Sequence, residues 1–218
     1  MHAIIISATK AAKTYFTTDS PVLFAFLPFD TKIPQQATVL MRYVSTPPMR
    51  VITTHTDDAG QHWRAPSKTT LANPDAAIAG VALSDGRMLA VLNNLEQSRN
   101  ALSMVVSADR GSTWQTIYQL EDQQKNQFVS PDNFAQTNTL LAKQTEANIS
   151  DATGYAQSAQ RNKCVVRQCD FEFSYPYLIQ TKSGDFHLLY TWNRSFIKHV
   201  YFSHGWLEEQ IKNHAELH

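Results

Sequence analysis

The stretch SADRGSTW, residues 107–114, decides how this chain is read. It has the form S-x-D-x-G-x-x-W. The stretch TDDAGQHW, residues 56–63, repeats it 51 residues upstream with Thr in first place. Each copy lies between two runs of alternating apolar residues, so each reads as a tight turn joining antiparallel strands. The residue types suit that role. Asp58 and Asp109 can accept hydrogen bonds from backbone N–H groups two or three residues on, as in Asx turns. Gly60 and Gly111 supply the positive φ of a tight turn. Trp63 and Trp114 set a large ring against the turn and fasten it to the sheet. A single match carries little, whereas two at a fixed spacing indicate a repeated supersecondary unit.

Working outward from the turns, the apolar runs group into sets of short strands. The first set covers residues 22–27, 38–44 and 50–55, then the turn at 56–63, then a short outer strand from 63 towards 68. The second set covers 77–83, 87–93, 102–107 and 114–120, with Ser84-Asp-Gly86 turning between its first two strands. The third covers 177–181, 186–192 and 197–202, with Lys182-Ser-Gly-Asp185 as its first turn. It has no fourth strand of its own, because 206–217 reads as an amphipathic helix or tail. A strand at 2–8 is the candidate to fill that place. The first two sets make four antiparallel strands in about fifty residues each, the dimensions of a propeller blade. Residues 122–163 interrupt the pattern. They are rich in Gln, Asn, Ser, Thr and Ala, and 134–147 has helical spacing. This insertion is either a partly helical cap or a mobile loop, being longer than an ordinary connection.

Bulk properties narrow the function. The chain has 218 residues, with 19 basic and 19 acidic side chains and no net charge. No basic stripe favours nucleic acid, and no apolar run reaches the ~20 residues of a membrane span. The apolar run at 3–6 has no basic region before it, so it reads as a strand rather than a signal peptide. That leaves the compartment open, with the cytoplasm slightly favoured. Cys164 and Cys169 are spaced C-x4-C, which fits either a hairpin disulfide or two free thiols. No residue pattern calls for a metal or an organic cofactor.

Strand direction alternates within a blade, so the two turns sit on one rim and the other loops gather on the opposite rim. That second rim receives Arg42, Asn73, Asp75, Asn93, Asn94, Arg99, Glu172, Tyr175, Asn193 and Arg194. One arginine falls near the end of the second strand, or in the loop after it, in each blade. Guanidinium groups converging in this way suit a carboxylate ligand, which they grip as a bidentate fork. His187 and His199 alternate with core positions and read as hydrogen-bonded structural residues.

The D-x-G-x-x-W turn is the Asp box of sialidase-like β-propellers, and this chain resembles that family. The segments FSYPYLIQTKSGDFHLLYTWNRSFIKHV, residues 173–200, and NPDAAIAGVALSDGRMLAVLNN, residues 73–94, carry the likeness further. It extends over about residues 37–121 and 171–207. The resemblance implies an all-β fold, with about three four-stranded blades in this chain, half of a six-bladed ring. The blades fall at roughly 21–70, 73–121 and 171–205, with the insertion at 122–163, in a single propeller-type domain. In that family an arginine triad holds the substrate carboxylate, a Tyr with a Glu partner is the nucleophile, and an Asp is the acid/base. Carried onto this sequence, the resemblance implies Tyr175 and Glu172 as the catalytic pair, with Tyr190 as a rival. It implies Arg42, Asn73, Asp75, Arg99, Asn193 and Arg194 as substrate-binding residues. The expected activity is that of a sialidase-like exo-glycosidase on an acidic sugar. The alternative is a carbohydrate-binding or interaction module without turnover. Three blades leave open sheet flanks, so a homodimer or a partner chain is expected to complete the ring.

Overall fold

The computed structural model describes residues 24–28, 35–42, 47–124, 128–144, 150–165 and 168–215. The strand expected at 2–8 lies outside them. The first blade is an antiparallel sheet of β1 (Phe24–Pro28), β2 (Ala37–Met41), β3 (Arg50–Thr56) and β4 (Ser67–Ala72), in that spatial order. The second is β5 (Ala79–Ala82), β6 (Met88–Leu92), β7 (Ala101–Ser107) and β8 (Gln115–Asp122). The outer strand β4 begins near where the sequence pattern ends it. The residues after Trp63 stay irregular, with Arg64 N–H bonding to His55 O, before pairing resumes at Ser67.

Next come β9 (Phe128–Val129), α1 (Pro131–Gln144), α2 (Ala152–Lys163), β10 (Cys164–Val165) and β11 (Gln168–Asp170). The last blade follows as β12 (Phe173–Gln180), β13 (Phe186–Trp192) and β14 (Phe196–Phe202), and α3 (His204–Ala215) ends the described chain. The insertion is therefore a two-helix unit on a small sheet ordered β10-β11-β9. It encloses its own core of Phe134, Ala159 and Cys169. Cys164 and Cys169 lie opposite each other in register and form a disulfide.

The blades stack face to face. Leu40, Val51, Leu71, Ile78, Met88 and Val105 fill the space between the first and second. Leu89, Met104, Ile117, Phe173, Phe186, Leu188 and Tyr190 fill the space between the second and third. The inner strands β1, β5 and β12 adjoin one another in that order. This radial arrangement follows from strands whose two faces are both apolar.

Helix α3 takes the outer edge between the last two blades. Leu207 is fully buried there, Trp206 meets Tyr118 edge to face at 5.0 Å, and Arg87 forks onto Glu208. Among the described residues no helix is long and apolar enough to cross a membrane.

The two Asp boxes adopt one geometry. Thr56 and Ser107 each accept the N–H of the following glycine, at 2.9 and 2.7 Å. The carboxylates of Asp58 and Asp109 accept the N–H four residues on, of His62 and Thr113. That is a longer reach than the two or three residues of an Asx turn. Positive φ extends over a pair of residues, Ala59–Gly60 and Arg110–Gly111. Trp63 and Trp114 are half-buried rather than enclosed. Trp114 donates its indole N–H to Gly111 O and packs on the core between the first two blades.

Candidate functional site

The rim opposite the Asp boxes is built by segments entering inner strands and by the loops that follow second strands. Arg42 follows β2, and Asp75 precedes β5. Arg99 lies in the loop between β6 and β7. Glu172 precedes β12, and Arg194 occupies the turn between β13 and β14. The structure brings these five together. Arg42 and Arg99 both donate to the backbone carbonyl of Asp75, at 3.1 and 2.8 Å, and Arg42 Nε stands 3.6 Å from its carboxylate. Arg99 Nη1 lies 3.5 Å from one oxygen of Glu172, and Arg194 Nε lies 3.0 Å from the other. Charge thus alternates Arg42, Asp75, Arg99, Glu172, Arg194 across all three blades.

Glu172 is 6% exposed. A carboxylate that far from water requires compensation. The two guanidiniums and the Ser174 hydroxyl, at 2.6 Å, supply it. Its backbone is equally fixed. Glu172 N–H donates to Asn193 Oδ1 and Asn193 N–H donates to Glu172 O, at 2.8 and 2.7 Å. This pins the β13–β14 turn, in which both Asn193 and Arg194 have positive φ, 52° and 53°. That is the type I′ hairpin signature, which Asn-Gly adopts most easily. Arginine in the second place is held in a conformation its side chain disfavours. Its side chain remains 57% exposed, the most open of the three.

Tyr175 sits in a bulge between Ser174 and Tyr177, beside Pro176, with φ at 52°. The bulge turns its ring to solvent, 56% exposed. Among the described residues its hydroxyl makes no hydrogen bond to Glu172, whose carboxylate is engaged by Ser174, Arg99 and Arg194. The rival Tyr190 is buried. Its phenol donates to Glu121 at 2.5 Å, and Lys198 meets the same oxygen. Burial first, and then the Glu121 carboxylate, push its pKa well above the ordinary phenol range. That is opposite to the shift an activated nucleophile requires.

The asparagines brace the rim. Asn73 is buried and bonds both ways with Ala76. Asn93 reaches the carbonyls of Arg99, Ala101 and Phe173, tying the second blade to the third. Asn193 is fully buried under its turn, and Asn94 accepts the N–H of Ala72. Burial therefore gives Asn73 and Asn193 positioning work rather than an exposed amide for a ligand. His187 and His199 bond to each other at 2.8 Å on the outward face of the last blade, away from the rim.

Beside Arg99 and Glu172 opens a cavity of about 660 Å³. The β6–β7 loop lines one side with Glu96, Gln97, Ser98 and Asn100, and Gln124, Asp170 and Phe171 line the other. Sequence reasoning did not select this wall, since it depends on how the insertion returns to the rim. Arg50 also escaped it. Arg50 pairs with Glu96 at 2.5 Å and holds that loop to the first blade. No group of three or more metal-ligating side chains occurs among the described residues.

The sequence matches the BNR repeat-like domain family over residues 27–188, and the chain belongs to that family. No curated protein matches it closely enough to add a relative. Among solved structures it is similar to the Hadza microbial sialidase Hz136, with a TM-score of 0.51 and 15% identity over 84% of this chain and 27% of that one. It is also similar to the NanB sialidase from Streptococcus pneumoniae (TM-score 0.49, 8% identity, 86% and 24% covered). A third is the α-L-arabinofuranosidase Arb93A from Fusarium graminearum (TM-score 0.45, 13% identity, 84% and 45% covered). The chain thus spans about a quarter of the length of the two sialidases. The family match and the likeness to Hz136 define the fold, three blades of a sialidase-like propeller.

Proposed function

We propose that the arginine rim binds the carboxylate of an acidic sugar, as part of a sialidase-like exo-glycosidase. The observation that carries this reading is Arg194. It is held in a left-handed turn that would prefer glycine, yet its guanidinium is exposed beside a buried carboxylate. Backbone strain maintained by surrounding contacts is a mark of functional placement. In this reading Arg194 takes the ligand carboxylate as a fork, with Arg99 behind it. Arg42 and Asp75 hold Arg99 in line. Glu172 sets the spacing of the two guanidiniums and is the carboxylate nearest Tyr175 in sequence. Tyr175 supplies the nucleophilic phenol after swinging towards Glu172.

The test is calorimetric titration with N-acetylneuraminic acid and glucuronic acid, alongside hydrolysis of the matching fluorogenic glycosides. Saturable binding that Arg194→Ala weakens by about tenfold or more supports the reading. No binding of either acid to the wild type removes it. The outward rotation of Tyr175 favours a second reading, ligand capture without turnover. Binding with no release of fluorophore would select that one.

A further inference from the structure

The cavity beside Arg99 and Glu172 has a chemistry of its own, which the arginine rim does not use. Asn100 lines it and is 6% exposed, yet among the described residues its Oδ1 has no hydrogen-bond partner. A buried acceptor left without a donor calls for a cause. The groups around it say which donor fits. Among the described residues the wall has one cation, Arg99, and it is engaged by Asp75 O and Glu172. An anion therefore finds no open partner there. Two of the three carboxylates on the wall are already matched, Glu96 by Arg50 and Glu172 by Arg99 and Arg194. The described residues hold no group of three metal-ligating side chains either. What remains is uncharged: the amides of Gln97 and Gln124, the Ser98 hydroxyl and the Phe171 ring. Phe171 is fixed by Phe173, stacked at 6.3 Å, and by Trp192, edge-on at 5.9 Å. A few neutral polar groups beside a rigid aromatic ring suit an uncharged ligand rich in hydroxyls.

We propose that this cavity is a second sugar subsite, which takes a neutral sugar unit joined to the acidic one. As part of one substrate it rests on the reading of the rim as the place of the acid. Glu172 connects the two places. One of its oxygens meets Arg99 on the cavity wall, and the other meets Arg194 on the rim. A ligand held at Arg194 has a single side chain to pass before it enters the cavity. The volume of about 660 Å³ lies within the ~300–1,000 Å³ of small-molecule clefts and leaves room for a sugar ring. There a ligand hydroxyl gives Asn100 Oδ1 the donor it lacks, further hydroxyls bond the Gln97 and Gln124 amides, and Phe171 takes the apolar face of the ring. The walls are fixed before a ligand arrives. Arg50 holds Glu96 and with it the β6–β7 loop, Ser98 Oγ accepts the Asn100 N–H, and the disulfide at Cys169 immediately precedes Asp170. Such preorganisation lowers the cost of binding. The preferred ligand is then a glycoside that ends in the acidic sugar, rather than the free acid.

Calorimetric titration of the 218-residue chain tests this, with N-acetylneuraminic acid, lactose and a hydrolysis-resistant S-linked sialyllactose as the three probes. The sialyllactose is expected to bind at least about tenfold more tightly than the free acid, and lactose alone to bind weakly but saturably. Gln97→Trp sets an indole into the cavity from an exposed position. It is expected to remove both the tenfold advantage and the lactose signal, with an unchanged circular dichroism spectrum. Leu140→Trp, on the exposed side of α1, is expected to keep both. Sialyllactose bound no more tightly than the free acid overturns the proposal and leaves the acid reading of the rim standing. An advantage that survives Gln97→Trp overturns it equally. Lactose binding that Gln97→Trp abolishes, in a chain that does not bind N-acetylneuraminic acid, upholds the cavity as a neutral-sugar site and removes the acid reading instead. No binding of any of the three overturns both.

Discussion

Arginine 194 shows most clearly how a residue is shaped by something other than stability. Its turn prefers Asn-Gly, and Asn193 is already present. Arg194→Gly relieves up to about 1 kcal/mol of backbone strain and is therefore expected to hold or raise the melting temperature. On the arginine side the pair with Glu172 is open to solvent and screened, and Arg99 and Ser174 continue to hold the buried carboxylate after the change. The same change is expected to abolish acidic-sugar binding. A melt and a titration on one preparation check both halves. Glu172 is the converse case. Glu172→Ala leaves Arg99, about a quarter exposed, without its carboxylate. The expected cost is about 2 kcal/mol, read from the denaturant midpoint. At the turns, the His62 backbone and side chain hold Asp58 well below the usual carboxylate range, at about 2. Asp109 is also lowered. Partial burial opposes its ionisation, but hydrogen bonds from Thr113 and Ser107 outweigh that. A depressed folded-state pKa adds stability that is present above about pH 4 and lost as pH falls towards 2. Melting temperatures measured between pH 5 and pH 2.5 are expected to fall, and less steeply in Asp109→Asn.

The two Asp boxes share a hydrogen-bond pattern and differ in what they fasten. A Cβ on Gly60 would meet only the Trp63 ring, at 3.7 Å. One on Gly111 would approach Thr38 Cγ2 at 3.4 Å and Met88 Sδ at 3.7 Å, in a different blade and strand. Thr38 also donates to Arg110 O, so the second box is a joint between blades. Both alanine variants carry the positive-φ penalty of about 1 kcal/mol. Gly111→Ala is expected to cost slightly more than Gly60→Ala, because its methyl group reaches the edge of ordinary contact with Thr38 of the first blade. Comparing their chemical unfolding midpoints checks this. The insertion is tied down differently, with one disulfide and a small core leading directly to Glu172. Cys164→Ser is expected to lower its stability by about 2 kcal/mol, the entropy of a short closed loop. Hydrogen exchange is expected to rise in α1 and α2 while β5–β8 stay protected.

At the scale of the whole molecule, the blades are joined by faces and sealed by α3. Leu207 is fully buried between the last two blades, and Arg87 and Glu208 clamp the helix to the β5–β6 turn. Leu207→Ala is expected to cost about 3 kcal/mol and to loosen both blades together. A single cooperative transition at lower temperature would show this. Separate transitions for the two blades would contradict it.

Residue order alone determined the repeated turn, the strands on either side of it and the assignment of loops to two rims. These depend on local alternation and on φ preferences, which a sequence displays directly. It also placed Arg42, Arg99 and Arg194 on one rim, because strand direction alternates regularly. Their partners were not legible. That Asp75 offers its carbonyl to two guanidiniums, or that Glu172 is buried between Arg99 and Arg194, depends on how three blades meet side by side. The same holds for Tyr175, which a bulge turns outwards, and for Tyr190, which burial and Glu121 keep protonated. Distances between segments tens of residues apart are set by packing, and only the folded chain contains them.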